Sequence, residues 1–289
     1  MNTLSPAKQA QIIAAICEGA SIRSTARQAE VSKNTVSRLI RLVAHAVNLY
    51  QDRAFRNLNI HRIEADEIWA FCSAKDKNVP EDRQDDPDYG SIWTWIAIDA
   101  DTKLVPTWHV GDRTGEDCYY FLSDLRRRIR VGNRIQLTTD GLGVYETVVD
   151  SLWRNKIDYA VIIKEYGNPP EDEARRYSPA TCKSIKKFRI CGDPDEGLVS
   201  TSYVERQNLT MRMNLRRYTR LTNGFSKKAE NHAAATALHF GYYNLVRPHQ
   251  TLTKRAGRKT TPAMAAGVER HPWTVYDLVG LLDRYEAAA

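Results

Sequence analysis

No CxxC pair and no histidine cluster occur in this chain, whose five cysteines stand apart at Cys17, Cys72, Cys118, Cys182 and Cys191. That scatter excludes the ordinary zinc fingers and ribbons, so no zinc is expected. An odd, dispersed set of thiols fits a reducing compartment better than a disulfide scaffold. Nowhere do about 18 apolar residues run together, the length a membrane helix requires. No amino-terminal stretch joins a basic start to an apolar run and a cleavage site, so a cytoplasmic protein is expected. Acid is scarce in one region above all: residues 206 to 259 hold twelve Lys or Arg against a single acid, Glu230.

The chain of 289 residues is long enough for two domains and a substantial core. Its net charge of +7 and sequence pI near 9.1 favour a polyanionic partner. The basic run could be a solvated face, but its crowding favours a track for phosphates.

Against this basic background, three acids lie in distinctive settings. Ile60 to Cys72 alternates, with β-branched and aromatic residues, and reads as a strand with Asp66 at its middle. A carboxylate there is costly unless it is paired or holds a metal. Taken singly, Asp66 could be a strand-edge acid facing water, with Glu64 and Glu67 as equally good candidates. Arg134 to Thr139 is a second short strand ending at Asp140-Gly141. That dipeptide alone is also a hairpin signal, but the helical pattern through Tyr145, Val148, Val149 and Leu152 argues for a strand end opening on a crevice. Ser202 to Arg217 reads as a helix. Glu205, Asn208 and Arg212 share one of its faces, with Arg212 about 10 Å beyond Glu205 at 1.5 Å per residue.

Carboxylates from three segments suit a pair of hard cations. Two Mg²⁺ ions about 3.5 to 4 Å apart can activate a water or a 3′-hydroxyl and stabilise the leaving oxygen. Mg²⁺ takes one or two protein carboxylates and fills its shell with water and phosphate oxygens.

The first fifty residues form a different pattern. Ile13, Ile16, Cys17 and Ala20 repeat at helical spacing, as do Val36, Leu39, Ile40 and Val43. Between the two runs Ser21 can cap a middle helix, and Val31-Ser32 can make a turn and cap a third. The expected unit is a helix-turn-helix, with a small dimerisation cap as the alternative. The exposed side of its third helix would carry Lys33, Asn34, Thr35, Ser37, Arg38 and Arg41, which can reach base edges and phosphates.

Elsewhere, Ser91 to Asp99 and Leu104 to Val110 read as two more strands joined at Asp101-Thr102-Lys103. Thr114 and Asp117 form a variant capping box opening a helix to about Arg130, and Asp158 to Lys164 supplies a buried strand. Ser73 to Gly90 is a loop and Asn231 to Val246 a long helix. Trp69, Trp93, Trp95, Trp108 and Trp153 read as core or half-buried aromatics. His232, His239 and His249 read as packing residues or phosphate contacts. The Pro-rich, charged stretch from Tyr166 to Thr201 has an open role.

The residues Asp66-Glu67-Ile68-Trp69-Ala70-Phe71, Thr139-Asp140-Gly141 with Tyr145, Val204-Glu205-Arg206-Gln207-Asn208-Leu209 with Arg212, and Phe225-Ser226-Lys227 resemble, in order, the DDE transposases of the insertion-sequence-one family. The resemblance runs from about residue 60 to 243. It departs from the best-known members, which begin with a zinc finger, and in its long stretch before the glutamate helix. It implies an α/β catalytic domain of ribonuclease-H-like (retroviral-integrase-like) fold, here preceded by the small all-α helix-turn-helix domain. It implies that Asp66, Asp140 and Glu205 are the catalytic and metal-binding triad for Mg²⁺, with Mn²⁺ substituting. Asn208, Arg212, Arg216 and Arg217 would join the amino-terminal set in binding DNA.

The partners implied are double-stranded DNA, as element ends and target, and further copies of the chain, at least a dimer. Such a protein would be nucleoid-associated. Alternatives are a domesticated DNA-binding regulator and a stand-alone nuclease of the same fold. The expected organisation is residues 1-50 as the DNA-binding head, 51-62 as linker, 63-250 as the catalytic domain with an insertion at about 166-200, and 251-289 as a basic, helical tail.

Overall fold

The computed structural model describes residues 4-167, 182-219 and 222-286. Three helices come first: α1 (Pro6–Cys17), α2 (Ile22–Gln28) and α3 (Lys33–Ala54). Ser5, Ser21 and Ser32 each accept a backbone N–H three residues on, which satisfies one orphan donor per helix. The chain then enters β1 (Arg62–Cys72), β2 (Gly90–Asp99), β3 (Thr107–Gly111), α4 (Gly115–Arg128), β4 (Gln136–Thr139), α5 (Val144–Trp153), β5 (Asp158–Tyr166) and β6 (Cys182–Cys191). Helices α6 (Ser202–Asn214), α7 (Ala229–Gly241), α8 (Gln250–Ala256), α9 (Pro262–Ala265) and α10 (Val275–Glu286) complete it.

The six strands form one mixed sheet in the order β3-β2-β1-β4-β5-β6. β1 runs antiparallel to β2, with Asp66 opposite Ile96, and parallel to β4 over only Arg62 to Glu64. β4 is parallel to β5, and β6 lies antiparallel on the outer edge of β5. Alternation in β1 sorts its residues to two faces. Ile63 and Ala65 join Trp95, Phe121, Leu122, Tyr145 and Val149 in the core under α4 and α5. Ile68, Ala70 and Cys72 join Val204, Met211, Tyr218 and Phe240 under α6 and α7.

The amino-terminal helices share the first of these cores. Ile12, Ile13, Val36, Val43 and Val47 belong to the same buried cluster as Ile63 and Trp95. Residue 50 therefore falls inside α3, which continues to Ala54 and packs on α7. The two helices meet at Gly241, where a Cβ would lie 2.3 Å from the Val47 Cγ1. At the other end of the chain, α10 packs on α1 and α3, burying Leu278, Val279 and Leu281. Residues 275 to 286 thus cover the amino-terminal helices instead of trailing free.

Four local expectations change, each for a visible reason. β3 starts at Thr107 because the Asn244 carboxamide takes both backbone groups of Val105, at 3.0 and 2.9 Å. α4 ends at Arg128 because Leu58 bonds to the Arg128 carbonyl and the Arg130 N–H. α6 stops at Asn214 because Leu215 and Tyr218 turn inward, the Tyr218 hydroxyl meeting Thr94 and Thr236 at 2.7 Å. α7 ends at Gly241 and passes into a wider π turn over Tyr242–Val246. Within the stretch 166 to 200, β6 is an edge strand, and residues 168 to 181 lie outside the described residues.

Candidate active site

The short overlap of β1 with β4 creates the site. Pairing ends at Glu64, so Asp66, two residues on, lies beside the place where β4 has run out. Asp140 follows the last residue of β4. Both acids therefore face the crevice at the carboxyl ends of parallel strands, where side chains from different segments converge. α6 brings a third, Glu205, from its first turn. Asp66, Asp140 and Glu205 line one open cleft of about 650 Å³, with Arg113, Ile163, Lys164, Tyr166 and Thr201.

Each acid is held differently. Asp66 Oδ2 accepts from Asn208 Nδ2 at 2.7 Å and its Oδ1 from the Glu67 N–H at 2.9 Å. The Asp140 Oδ1 accepts from the Leu142 N–H at 3.0 Å, an Asx turn that leads into α5 and not a hairpin. Glu205 accepts from Thr201 Oγ1 at 2.6 Å and forms an ion pair with Lys164. Its side chain is 45% exposed, whereas Asp66 and Asp140 are half-buried.

Two acids that the sequence left as equal candidates have separate places. Glu64 is buried, and its Oε2 accepts the N–H groups of Tyr203 and Val204 at 2.7 and 3.1 Å. It caps the amino end of α6 from the neighbouring strand, where a negative charge also suits the helix dipole. Glu67 turns to the other face of β1, yet it, Asp66 and Asp140 each place an oxygen within 4.8 Å of the other two. Its side chain is 1% exposed and pairs with Arg113 at 3.1 Å.

Charge crowding shows in the titration. Burial, with Glu67 and Asp140 beside it, pushes the Asp66 carboxyl up to about 7. Burial, with Asp140 also opposing, pushes Glu67 up to about 7 against the pull of Tyr145 and Arg113. Burial also raises Glu64, offset by its two backbone donors. Carboxylate oxygens from three segments, opening on one cleft, fit a hard divalent cation. Asp66 and Asp140 could hold one directly, and Glu205 could join once released from Lys164. Among the described residues, the group Asp66, Glu67 and Asp140 is the candidate metal cluster.

The basic residues gather elsewhere. Lys33, Asn34 and Ser37 line a second cleft, of about 560 Å³, together with Arg23, Arg216, Arg217 and Lys227. Thr35 is half-buried, its hydroxyl 2.9 Å from the capping Ser32. Arg38 is exposed. Arg41 is tied to α7, bonding Asn231 at 3.0 Å and Glu230 at 3.4 Å. Asn208 is buried on Asp66, so its partner is a carboxylate and it offers no open surface. Arg212 is half-buried at the end of α6, and its carbonyl accepts from Thr219. Arg216 donates to the Gly19 carbonyl at 3.4 Å, and Arg217 to Ser226 at 2.9 Å.

Burial pushes His232 and His239 down to about 3, which makes them neutral packing residues instead of charged phosphate contacts. Trp95 and Trp153 are buried, and Trp69, Trp93 and Trp108 half-buried.

Sequence reasoning missed Glu64 as a cap, Glu67 as part of the cluster, and the cations Lys164 and Arg113. Alternation along β1 puts the Asp66 and Glu67 side chains on opposite faces, and no local pattern marks Lys164 or Arg113.

No protein-family model matches the chain, and no curated protein matches it. Among solved structures, similarity is found to a piggyBac transposase synaptic complex with hairpin DNA, at TM-score 0.41 and 12% identity, covering 100% of this chain and 74% of that one. The Mos1 strand transfer complex follows at TM-score 0.24 and 15% identity, covering 55% of this chain and 59% of that one. The Mos1 paired-end complex with the left transposon end gives 0.22 and 15%, covering 53% and 58%. The chain thus spans less than two thirds of the Mos1 chains it matches. Likenesses this slight carry no weight for fold or chemistry.

Proposed function

We propose that this chain is a metal-dependent DNA transposase of the DDE type, with Asp66, Asp140 and Glu205 as its catalytic carboxylates. The observation that carries the reading is their convergence, from β1, the end of β4 and the start of α6, on one open cleft. The strand order, with β1 between an antiparallel β2-β3 pair and the parallel β4 and β5, supports a ribonuclease-H-like assignment. The charge of the chain supports a polyanionic substrate.

Bound to these carboxylates, Mg²⁺ would supply Lewis-acid activation of the attacking oxygen and charge relief at the leaving one. The protein's own groups set the stage for it. Asn208 orients Asp66 through Oδ2, and the Asx turn fixes Asp140. Glu64 pins α6 to β1, which sets where Glu205 stands. Lys164 holds Glu205 as an ion pair.

We read α2, the turn at residues 29 to 32 and α3 as a helix-turn-helix. Lys33, Asn34, Ser37 and Arg38 are then its DNA-facing residues, and Arg216 and Arg217 lie across the same cleft or near it. A synaptic dimer or larger assembly follows from the need to join two element ends. The test is incubation of the protein with candidate element-end DNA, Mg²⁺ and a target plasmid. Joined products that vanish with Asp140→Asn support the reading. Cleavage without joining favours a nuclease, and binding without either favours a regulator.

A further inference from the structure

We infer that Arg113 is a DNA-phosphate position at the rim of the acidic cleft, held in place by Glu67 and Trp93. This inference rests on the transposase reading and adds a residue and a ligand contact to it.

A phosphodiester entering a cleft lined by carboxylates is repelled unless a cation receives it. Among the described residues, two cations line this cleft, Lys164 and Arg113. Lys164 is taken up by Glu205. Arg113 makes no ion pair with Asp66, Asp140 or Glu205; its partner is Glu67, on the buried side of β1. The contrast in exposure is large: the Glu67 side chain is 1% exposed and that of Arg113 is 39% exposed. The pair thus runs from the core to the rim, with the carboxylate inside and the guanidinium outside.

The geometry leaves Arg113 half used. Its Nε and Nη2 reach Glu67 Oε2 at 3.2 and 3.1 Å, and its guanidinium carbon lies 4.7 Å from the centre of the Trp93 ring. Carboxylate and ring fix the plane of the fork, while Nη1 has no protein acceptor among the described residues. A planar, weakly hydrated cation with free N–H groups, already immobilised, suits a phosphate oxygen and loses little freedom in binding it. Two assignments of Glu67 compete: anchor of Arg113, or a fourth metal ligand beside Asp66 and Asp140. The Arg113 pair on Oε2 and the near-complete burial favour the anchor.

The test uses the full chain and two probes, a fluorescent duplex of mixed sequence and Mn²⁺. In the double variant Arg113→Met with Glu67→Gln, which removes a buried charge pair together and strands neither partner, the slope of log affinity against log salt should fall by about one. The Mn²⁺ affinity of the single variant Arg113→Lys, which leaves Glu67 in place, should stay within about threefold of wild type. Should the double variant melt early, Arg113→Lys keeps Glu67 compensated. Its salt slope should hold while DNA affinity falls about tenfold, the loss of one charge-assisted hydrogen bond. An unchanged slope in the double variant, or unchanged affinity in Arg113→Lys, overturns the contact. So does loss of Mn²⁺ binding with the slope intact, which would make Glu67 a ligand. Tight binding of inorganic phosphate that depends on Arg113 would reassign the position to a free anion. A wild-type protein that binds neither probe would bring down the transposase reading as well.

Discussion

The two clefts of this molecule are opposites in charge and in construction. The acidic one is built from strand ends and a helix start, and its carboxylates, two half-buried and one exposed, are individually held. The basic one lies between helices and the segment from Asn214 to Lys227, and its cations Arg23, Lys33, Arg216 and Lys227 are exposed, with Arg217 half-buried on Ser226. Chemistry at a reacting atom needs placement to within a fraction of an ångström. Holding a polyanion needs only charge at the right spacing. The difference between the clefts therefore divides labour, and substitutions should divide the same way.

The largest effect belongs to the acidic side. Asp66→Asn or Asp140→Asn should cut Mg²⁺-dependent DNA cleavage by at least about a thousandfold, about 4 kcal/mol in barrier. Affinity for duplex DNA should stay near wild type. Gel assays of cleavage beside anisotropy of binding check both, and comparable losses in the two would erase the division.

Glu64 sharpens the comparison because it serves the acidic cleft from outside it. Glu64→Ala leaves the buried N–H groups of Tyr203 and Val204 without an acceptor and should cost about 2 to 3 kcal/mol of stability. Urea unfolding checks this, and a loss below about half a kcal/mol would mean that α6 does not depend on the cap.

Next comes pH. The Asp66 and Glu67 carboxyls stand near 7 in the fold, against ordinary values of 3.8 and 4.5. Between about pH 4 and 7 these two groups therefore bind more protons in the folded state than in the unfolded one, while the buried His232 and His239, pushed down to about 3, bind fewer. The contribution of the two carboxyls to the stability of the metal-free protein must then fall as pH rises through that window and level off above it. Mg²⁺ binds the ionised form, so the stabilisation it gives should grow over the same range. Thermal melts of wild type beside Asp66→Asn from pH 5 to 8, with and without Mg²⁺, check the sign, and a metal-free wild type that gains stability relative to Asp66→Asn towards pH 7 would contradict it.

The smallest effect falls on the basic side. Lys33→Ala with Lys227→Ala should lower the salt slope of DNA binding by about two and leave Mg²⁺ affinity untouched. A change in cleavage of DNA at saturating protein would show the two clefts to be coupled.

Legibility in the sequence follows the same division. Local patterns carry the core strands: alternation marks β1 from Ile63 to Cys72, and the serine caps mark α2 and α3. Asp66 and Asp140 stand out because each breaks an apolar pattern at a strand centre or end. What pattern cannot carry is partnership across the chain. Asn244 takes the Val105 backbone from 139 residues away and shortens β3. Glu64 looks like any strand acid until α6 is set upon it, 139 residues on. Glu67 and Arg113 become a pair only when the β3-α4 connection folds back on β1. The exposed, charged β6 carries too little apolar alternation to announce a strand, and only pairing with β5 makes it one. The expected boundary at residue 50 falls inside α3, whose continuation to Ala54 and the following Phe55 belong to the packing of the shared core.

The account stands on the carboxylates acting as one metal site, and Mn²⁺ binding followed by electron paramagnetic resonance measures that directly. Wild-type protein should bind Mn²⁺ competitively with Mg²⁺, and Asp66→Asn and Asp140→Asn should each weaken it at least about tenfold, the loss of one ligand. Wild-type Mn²⁺ affinity in both variants would contradict the account.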